Sequence, residues 1–396
     1  MGITIGTAST RFDLPVGIPM GGYSGRNAPS TGEHDPLHTK TIAIGNGNDT
    51  IVIASCDLVG LERTHVLEVK ERIQQRFGIP VANIMITATH THSGPRNIAL
   101  FGDPYKGFEK LYGTIDASIS AAVQAMKPAS IAVATGKIEG VSFNRRTYDP
   151  TSEHVDDTCT VLVVKEALSG KKEHIVAILY NFACHPVVMG AENLDITADW
   201  VYYANERIAE AFPGALPIFL QGSCGNLNPV NTPIIGFVPV HTFDDCKEIG
   251  NKAGSAIVKI AKKTSLVKID SVKGTLKEIE VLSDDPDKAE IFTFAAGKVH
   301  DGKFSITAPV QALSFDDIAI AGVPGELFSE ISLNIKKRSM FKHVLVAGYA
   351  NDYIGYIATR ANYQAKGYEV VMMSLSEEEG ELVEKSAIDA VNSLKK

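Results

Sequence analysis

His90 and His92 stand two positions apart in Ala88-Thr89-His90-Thr91-His92-Ser93-Gly94-Pro95, just after the apolar run Ile84 to Ile86. An apolar run closed by Gly-Pro reads as a buried strand ending in a tight loop. Loops held on rigid strands are where binding and catalytic groups gather. A lone His-x-His pair is equally well explained by one packed and one solvated imidazole. Three further loops shift the balance. Asn181-Phe182-Ala183-Cys184-His185-Pro186, Gly322-Val323-Pro324-Gly325-Glu326 and Asn351-Asp352-Tyr353-Ile354-Gly355-Tyr356 each follow an apolar run. Two histidines, a glutamate and a polar aromatic at strand ends suit a catalytic zinc site with an open position.

The elements that must position these loops recur three times. Thr39–Ile44 and Thr50–Ser55 read as a β-hairpin, Glu62–Phe77 as an amphipathic helix, and Asn83–Thr87 as the strand that delivers His90 and His92. Thr158–Val164 and His174–Tyr180 read as a hairpin across Ser169-Gly170-Lys171-Lys172. His185 follows it, then a helix over Asp199–Phe212 and a strand over Pro217–Leu220. Pro309–Ser314 and Ile318–Val323 form a third hairpin, followed by Glu326, a helix over Leu327–Lys337 and a strand over Val344–Ala347. The expected fold is α/β, with layered mixed β-sheets flanked by helices, built from three ββαβ units. Further helices are expected over Gly107–Met126, Thr242–Lys262 and 374–394, with helix plus turn over 285–304. No low-complexity linker interrupts the chain, so residues 1–396 are expected to form a single domain.

Composition narrows the function classes. The 396 residues are 44% hydrophobic and 21% charged, the balance of a soluble globular protein. The net charge is −8, and no Lys/Arg cluster marks a nucleic-acid footprint. No apolar run is long enough to span a bilayer, and the N-terminus shows no signal-peptide pattern. Five cysteines, an odd number without a CxxC pair, argue against a disulfide framework and for a reducing compartment. A cytoplasmic location is expected. Asn48-Asp49-Thr50 matches a glycosylation sequon but reads as a hairpin turn.

These segments, taken with Asn144-Arg145, Ala198-Asp199-Trp200, Gln221-Gly222 and the tyrosine-rich stretch Asn351 to Glu369, resemble the neutral (non-lysosomal) ceramidases. The resemblance runs in order along nearly the whole chain. It implies an N-acylsphingosine amidohydrolase of sphingolipid metabolism with one Zn2+ ion, in which zinc-bound water attacks the amide carbonyl. It places the metal ligands on His90, His185, Glu326 and Tyr356, and the residues around the reacting amide on His92, Arg145 and Tyr368. Two features depart from it. Asn226 and Asn228 stand where the family has aspartate and serine, and the C-terminal β-sandwich domain of the larger members has no counterpart after Glu369.

In chemical terms, Tyr368 suits a donor to the oxyanion and His92 a proton shuttle to the leaving amine. Arg145 suits an anionic or hydroxyl-bearing head group, and Asn226 and Asn228 suit hydrogen bonds to substrate. Simpler readings stand beside these. Tyr356 reads equally as a packing aromatic, Arg145 and Arg146 as a solvated pair, and Glu326 as a charge favouring the next helix start. Asp199 reads as a helix N-cap, Asp57 as a partner of a ligand histidine, and Cys184 as a small buried residue. The substrate expected is a lipid-like or small N-acyl compound. A more polar substrate on the same scaffold and a non-catalytic binding protein are the alternatives. Leu100-Phe101 and Phe237–Val240 are candidates for an apolar rim.

Overall fold

The computed structural model describes residues 2–98, 102–147, 154–166, 174–230, 241–285, 287, 298–300 and 303–395. All three ββαβ units are present. In each, the two hairpin strands are antiparallel and the strand after the helix runs parallel to the second. The first unit pairs His38–Gly45 with Thr50–Cys56, and Thr50–Cys56 with Ile84–Ala88 across the helix Arg63–Phe77. The second pairs Thr158–Glu166, His174–Phe182 and Leu216–Gln221 around the helix Trp200–Ala211. The third pairs Lys303–Phe315, Ile318–Gly322 and His343–Ala347 around Ser329–Arg338.

Units one and two contribute to one nine-stranded sheet, and unit three to a separate five-stranded sheet, counted over the described residues. Period-two alternation explains the layering. Ile51 and Ile53 join Leu179, Ile218, Ile318, Ile320 and Leu345 in a core between the sheets. Their neighbours Val52 and Ala54 face the helix residues Val66, Val69 and Ile73. On the other outer face, Ala319 and Ala321 pack against Ile331, Ile335, Val383 and Val391. The order is helices, sheet, sheet, helices, which leaves the inner faces of both sheets dry.

Local chemistry accounts for the boundaries. In the first hairpin, the Asn46 side-chain oxygen accepts from the backbone of Asn48 and Asp49, so the sequon is indeed a turn. The long helix Phe243–Ala261 opens on a capping box between Thr242 and Asp245. Two boundaries move. The third-unit helix starts at Ser329 because Glu326–Leu327 is drawn into a parallel bridge with Tyr356–Ile357. The closing helix starts at Glu379 because Ser376 is tied by its amide to Leu282 of the five-stranded sheet. Within 285–304, Lys298–His300 is a strand paired with Lys303–Phe315, not helix. The turn at 169–172 and both rim candidates lie outside the described residues.

The three parallel pairs end at one place. Gly348 donates to the Gln221 carbonyl (3.0 Å), Ala88 to the Tyr349 carbonyl (3.2 Å) and Asn351 to the Ile86 carbonyl (2.7 Å). The Asn181 amide links Leu220 and Val346 (3.0 and 2.9 Å). Ligand-bearing loops of mixed α/β sheets sit at such carboxyl ends, and here three of them are stitched together.

Candidate active site

His90 follows Ile84–Ala88 directly and holds a left-handed backbone, φ 68°. A histidine there is strained, and such strain concentrates at functional sites. The turn brings its Nδ1 to the Val59 carbonyl at 2.5 Å. His185 lies three residues beyond the second unit's middle strand His174–Phe182, and its Nδ1 meets the Leu227 carbonyl at 2.9 Å. A carbonyl only accepts, so both Nδ1 atoms carry a proton, and in the neutral imidazoles both Nε2 atoms present lone pairs. Those lone pairs face the Glu326 carboxylate: Oε2 lies 3.1 Å from His185 Nε2 and 3.5 Å from His90 Nε2. Acceptors facing acceptors in a buried site repel unless a cation sits among them. His92 Nε2 is 3.0 Å from His90 Nε2, and the ligand atoms of His90, His92 and His185 lie within 4.8 Å of one another. The three imidazoles could hold a metal ion, and Glu326 touches two of them.

Protonation states agree with this donor set. Burial, with the other two histidines nearby, pushes His92 well below its ordinary value, and burial pushes His185 down. Burial opposes ionisation of Glu326, yet His90 and His185 hold its carboxyl well below the usual range. Neutral imidazoles and an ionised carboxylate are the forms that bind a metal.

A second layer orients the first. Tyr353 donates to Glu326 Oε1 at 2.5 Å and Tyr349 to Oε2 at 3.4 Å. The Tyr349 ring stacks on His90 at 4.1 Å. The Tyr23 ring meets His92 edge-on at 4.8 Å, and buried Arg26 donates to the His92, Gly190, Ala191 and Gly21 carbonyls. Gly22, at φ 99°, lies against His92, where a Cβ would come within 2.5 Å of the ring. Gly22 and Tyr23, at the end of the glycine-rich stretch 17–23, therefore form a wall of the site.

Arg145 follows the strand Ser142–Asn144, which pairs with Leu227–Pro229 and so brings Arg145 to Asn228. Its Nε donates to Glu369 Oε1 (2.7 Å), one terminal nitrogen to Asn228 Oδ1 (3.1 Å), the other to the Gly225 carbonyl (2.8 Å) and the Tyr356 hydroxyl (3.1 Å). Burial lowers and the charges of Tyr356 and Glu369 raise its pKa; the net direction is up. Arg146 takes the other Glu369 oxygen at 2.6 Å. The Tyr356 and Tyr368 rings each lie 5.7 Å from the Arg145 guanidinium carbon, and Tyr368 is 43% exposed.

His90, His92, His185, Glu326, Tyr356, Arg145, Asn228 and Tyr368 thus lie in one connected cluster. Several companion readings need correction. Asn226 is fully buried and spends its amide on Glu330 and the Ser329 amide, so it does not face substrate. Asp57 accepts from the His38 amide, while the ligand-type histidines use backbone carbonyls. Arg145 and Arg146 are not a solvated pair, and Glu326 precedes its helix by a two-residue strand. Asp199 is the N-cap expected and also accepts from the Val188 and Met189 amides. Cys184 is a buried thiol that burial pushes well up. Sequence did not single out Arg26, and Gly22 and Glu369 were visible only as members of the stretches 17–23 and Asn351 to Glu369. Tyr353 was visible only as part of the tyrosine-rich spacing.

Residues 13–216, more than half of the chain, match the family described as neutral/alkaline non-lysosomal ceramidase, N-terminal. The chain belongs to this family. A neutral ceramidase of Pseudomonas aeruginosa is 22% identical over 445 residues, taking in 89% of this chain and 66% of that protein. Neutral ceramidase B of Dictyostelium discoideum is 31% identical over 183 residues, 40% of this chain and 24% of that protein. The chain thus spans just under two thirds of the Pseudomonas ceramidase and about a quarter of the Dictyostelium one. The crystal structure of the Pseudomonas neutral ceramidase superposes with a TM-score of 0.83 at 19% identity, covering 100% of this chain and 75% of that one. A ceramidase complexed with C2 gives 0.79 at 20% identity, with the same coverage. At these identities the likeness establishes the fold, the layered mixed α/β architecture of the ceramidases. No helix among the described residues is long and apolar enough to cross a membrane.

Proposed function

We propose that the chain is a zinc-dependent hydrolase of linear N-acyl amides, of the ceramidase type, acting as a single domain in the cytoplasm. The observation that carries this is the convergence of two Nε2 atoms on one buried carboxylate, with a third imidazole beside them. His90, His185, Glu326 and Tyr356 would hold the ion, and His, Glu and phenol donors suit zinc. When bound, zinc supplies Lewis acidity toward a carbonyl oxygen and a water.

The chain's own groups do the rest. His92 Nδ1 is buried without a hydrogen-bond partner among the described residues, which leaves the ring able to carry a proton to the leaving nitrogen. The half-exposed Tyr368 hydroxyl donates to the developing oxyanion. Arg145 holds Tyr356 and Asn228 in place through three-point bonding. The buried free thiols among the five cysteines fit a reducing compartment.

Metal content by plasma mass spectrometry tests this first, on wild type and His185→Ala. Near-stoichiometric zinc in wild type and little in the variant is expected. Zinc-loaded wild type should then release fatty acid from a short-chain N-acyl sphingosine. Absence of zinc after reconstitution would favour a binding protein. Zinc without release, alongside turnover of a polar N-acyl compound, would favour the second substrate reading.

A further inference from the structure

The His92 ring has no hydrogen bond of its own to fix its direction. Nδ1 is buried without a partner among the described residues, and Nε2 faces His90 Nε2 at 3.0 Å. A His90 atom given to an ion cannot also hold a neighbour. The ring direction then depends on how the peptide around His92 is held and on what packs against the imidazole. Both lead to one segment, 187–197, between His185 and the helix Trp200–Ala211. On either side of His92, the Thr91 hydroxyl donates to the Thr197 carbonyl at 2.7 Å and the Thr197 amide to the Ser93 carbonyl at 3.0 Å. The His92 carbonyl accepts from Arg26, which also donates to the Gly190 and Ala191 carbonyls, each at 3.1 Å. The Tyr23 ring, edge-on to the imidazole, is anchored by its hydroxyl on the Met189 carbonyl at 2.9 Å.

The amides of that segment are gathered by Asp199. Its Oδ2 accepts from Met189 at 2.8 Å, and its Oδ1 from Val188 at 3.1 Å and Trp200 at 2.7 Å. The side chain is fully buried. Burial pushes its carboxyl up to about 6 and the three amides hold it down, so it is ionised at neutral pH. A helix cap alone does not need this arrangement. An ordinary N-cap has an extended backbone and accepts from the second or third helical amide, as Thr242 does from Asp245 at φ −108°. Asp199 stands at φ 60°, ψ −146°, where glycine is favoured, and spends its carboxylate on the first helical amide and on the loop behind it. Such strain persists only where the surroundings enforce it, and it concentrates at functional sites. We propose that Asp199 is a positioning residue for the reaction: it shapes the segment 187–197 into the cradle of the His92 loop, and so acts on proton transfer without touching substrate. This rests on the hydrolase reading for the role of His92, while the cradle itself does not.

Asp199→Gly tests it, because glycine suits the backbone angle and is tolerated as an N-cap, so the variant loses the carboxylate and little else. In zinc-loaded protein with a short-chain N-acyl sphingosine, kcat is expected to fall about 100-fold, the scale of a misplacement of about 1 Å. KM should stay within about threefold of wild type, with zinc content unchanged. Sodium formate, at a concentration where sodium chloride does nothing and wild type is unaffected, should restore kcat at least tenfold by supplying the missing carboxylate. In NMR spectra of metal-free protein carrying isotope-labelled histidine, the His92 ring signals should shift and broaden while those of His90 and His185 hold. Should the glycine variant fail to fold, Asp199→Asn, which keeps one acceptor oxygen, is expected to lose about tenfold in kcat with the same His92 signature. A kcat within threefold of wild type, a rate that formate does not restore, a loss of zinc alongside the loss of rate, or unmoved His92 signals would each overturn the inference. If wild type with stoichiometric zinc hydrolyses no amide, the hydrolase reading fails, and the His92 signals alone then decide whether Asp199 holds the loop.

Discussion

Glu326 and Tyr356 are register partners across a parallel bridge only two residues long. Paired residues on neighbouring strands project to the same side. The bridge therefore sets a carboxylate and a phenol next to each other, one meeting His90 and His185, the other Arg145. Two backbone hydrogen bonds of the bridge, from Glu326 to Gly355 and from Phe328 to Ile357, fix this relation independently of any ion.

Tyr356→Phe keeps the bridge and removes the hydroxyl. Zinc affinity, measured by competition with a chromophoric chelator, is expected to fall by about 10–100-fold, the scale of losing one supporting metal contact. The unfolding free energy of the metal-free protein should fall by about 1–2 kcal/mol, because Arg145 loses the hydroxyl as an acceptor but keeps its other partners.

Gly22→Ala places a methyl where the His92 ring lies, at a backbone angle that alanine rarely adopts. The ring must shift while His90, His185 and Glu326 stay put. Expected is a loss of kcat of about 100-fold, the range for a displaced proton-transfer group, with zinc content retained. Loss of zinc in this variant would instead make His92 a ligand.

Glu369→Gln leaves the Arg145 and Arg146 guanidiniums facing each other without a countercharge. Breaking a buried ion pair from one side is expected to destabilise by about 2–4 kcal/mol, reduced from the fully buried range because both arginines keep some exposure. Urea unfolding measures it. Glu369→Asp, which keeps the charge, should recover part of the loss.

Lys70 is buried on the helix Arg63–Phe77, and burial pushes its ammonium down to about 7. In the unfolded chain it titrates at about 10.4. Between these values the unfolded chain holds the proton and the folded one does not, so this group makes stability rise with pH. Below pH 7 both states are protonated and the full burial penalty remains. From pH 7 to 9 the wild type should gain on the order of 2 kcal/mol relative to Lys70→Met. Unfolding curves of the pair at both pH values test it.

The three units were legible because their apolar runs have strand length and their polar turns fall between them. His90, His185 and Glu326 were legible for the same reason, since each sits at the end of such a run. The side-chain network was not. Glu369 finds Arg145 and Arg146 across more than two hundred residues, and no local spacing encodes that meeting. Lone charges read as solvated until the fold removes the solvent, which is why a solvated pair stands as the simpler reading of Arg145 and Arg146 in the sequence. Asn226 looked like a substrate contact because loop position gives no burial. The bridge at Glu326–Leu327 escaped notice because two residues carry no periodicity.

The donors are contributed in instalments along the chain, His90 and His92 first, then His185, and Glu326, Tyr356 and Glu369 only near the end. During synthesis from the N-terminus, the early histidines leave the ribosome with no carboxylate to complete their cage. In the proposed metal site, capture of the ion by the full donor set therefore follows the docking of the last unit rather than seeding it, the reverse of a small zinc-nucleated fold. Metal affinity in the proposed site then reports completed folding, and a truncated chain lacking the third unit should bind the ion more weakly, since it keeps the three imidazoles of the site but loses Glu326 and Tyr356.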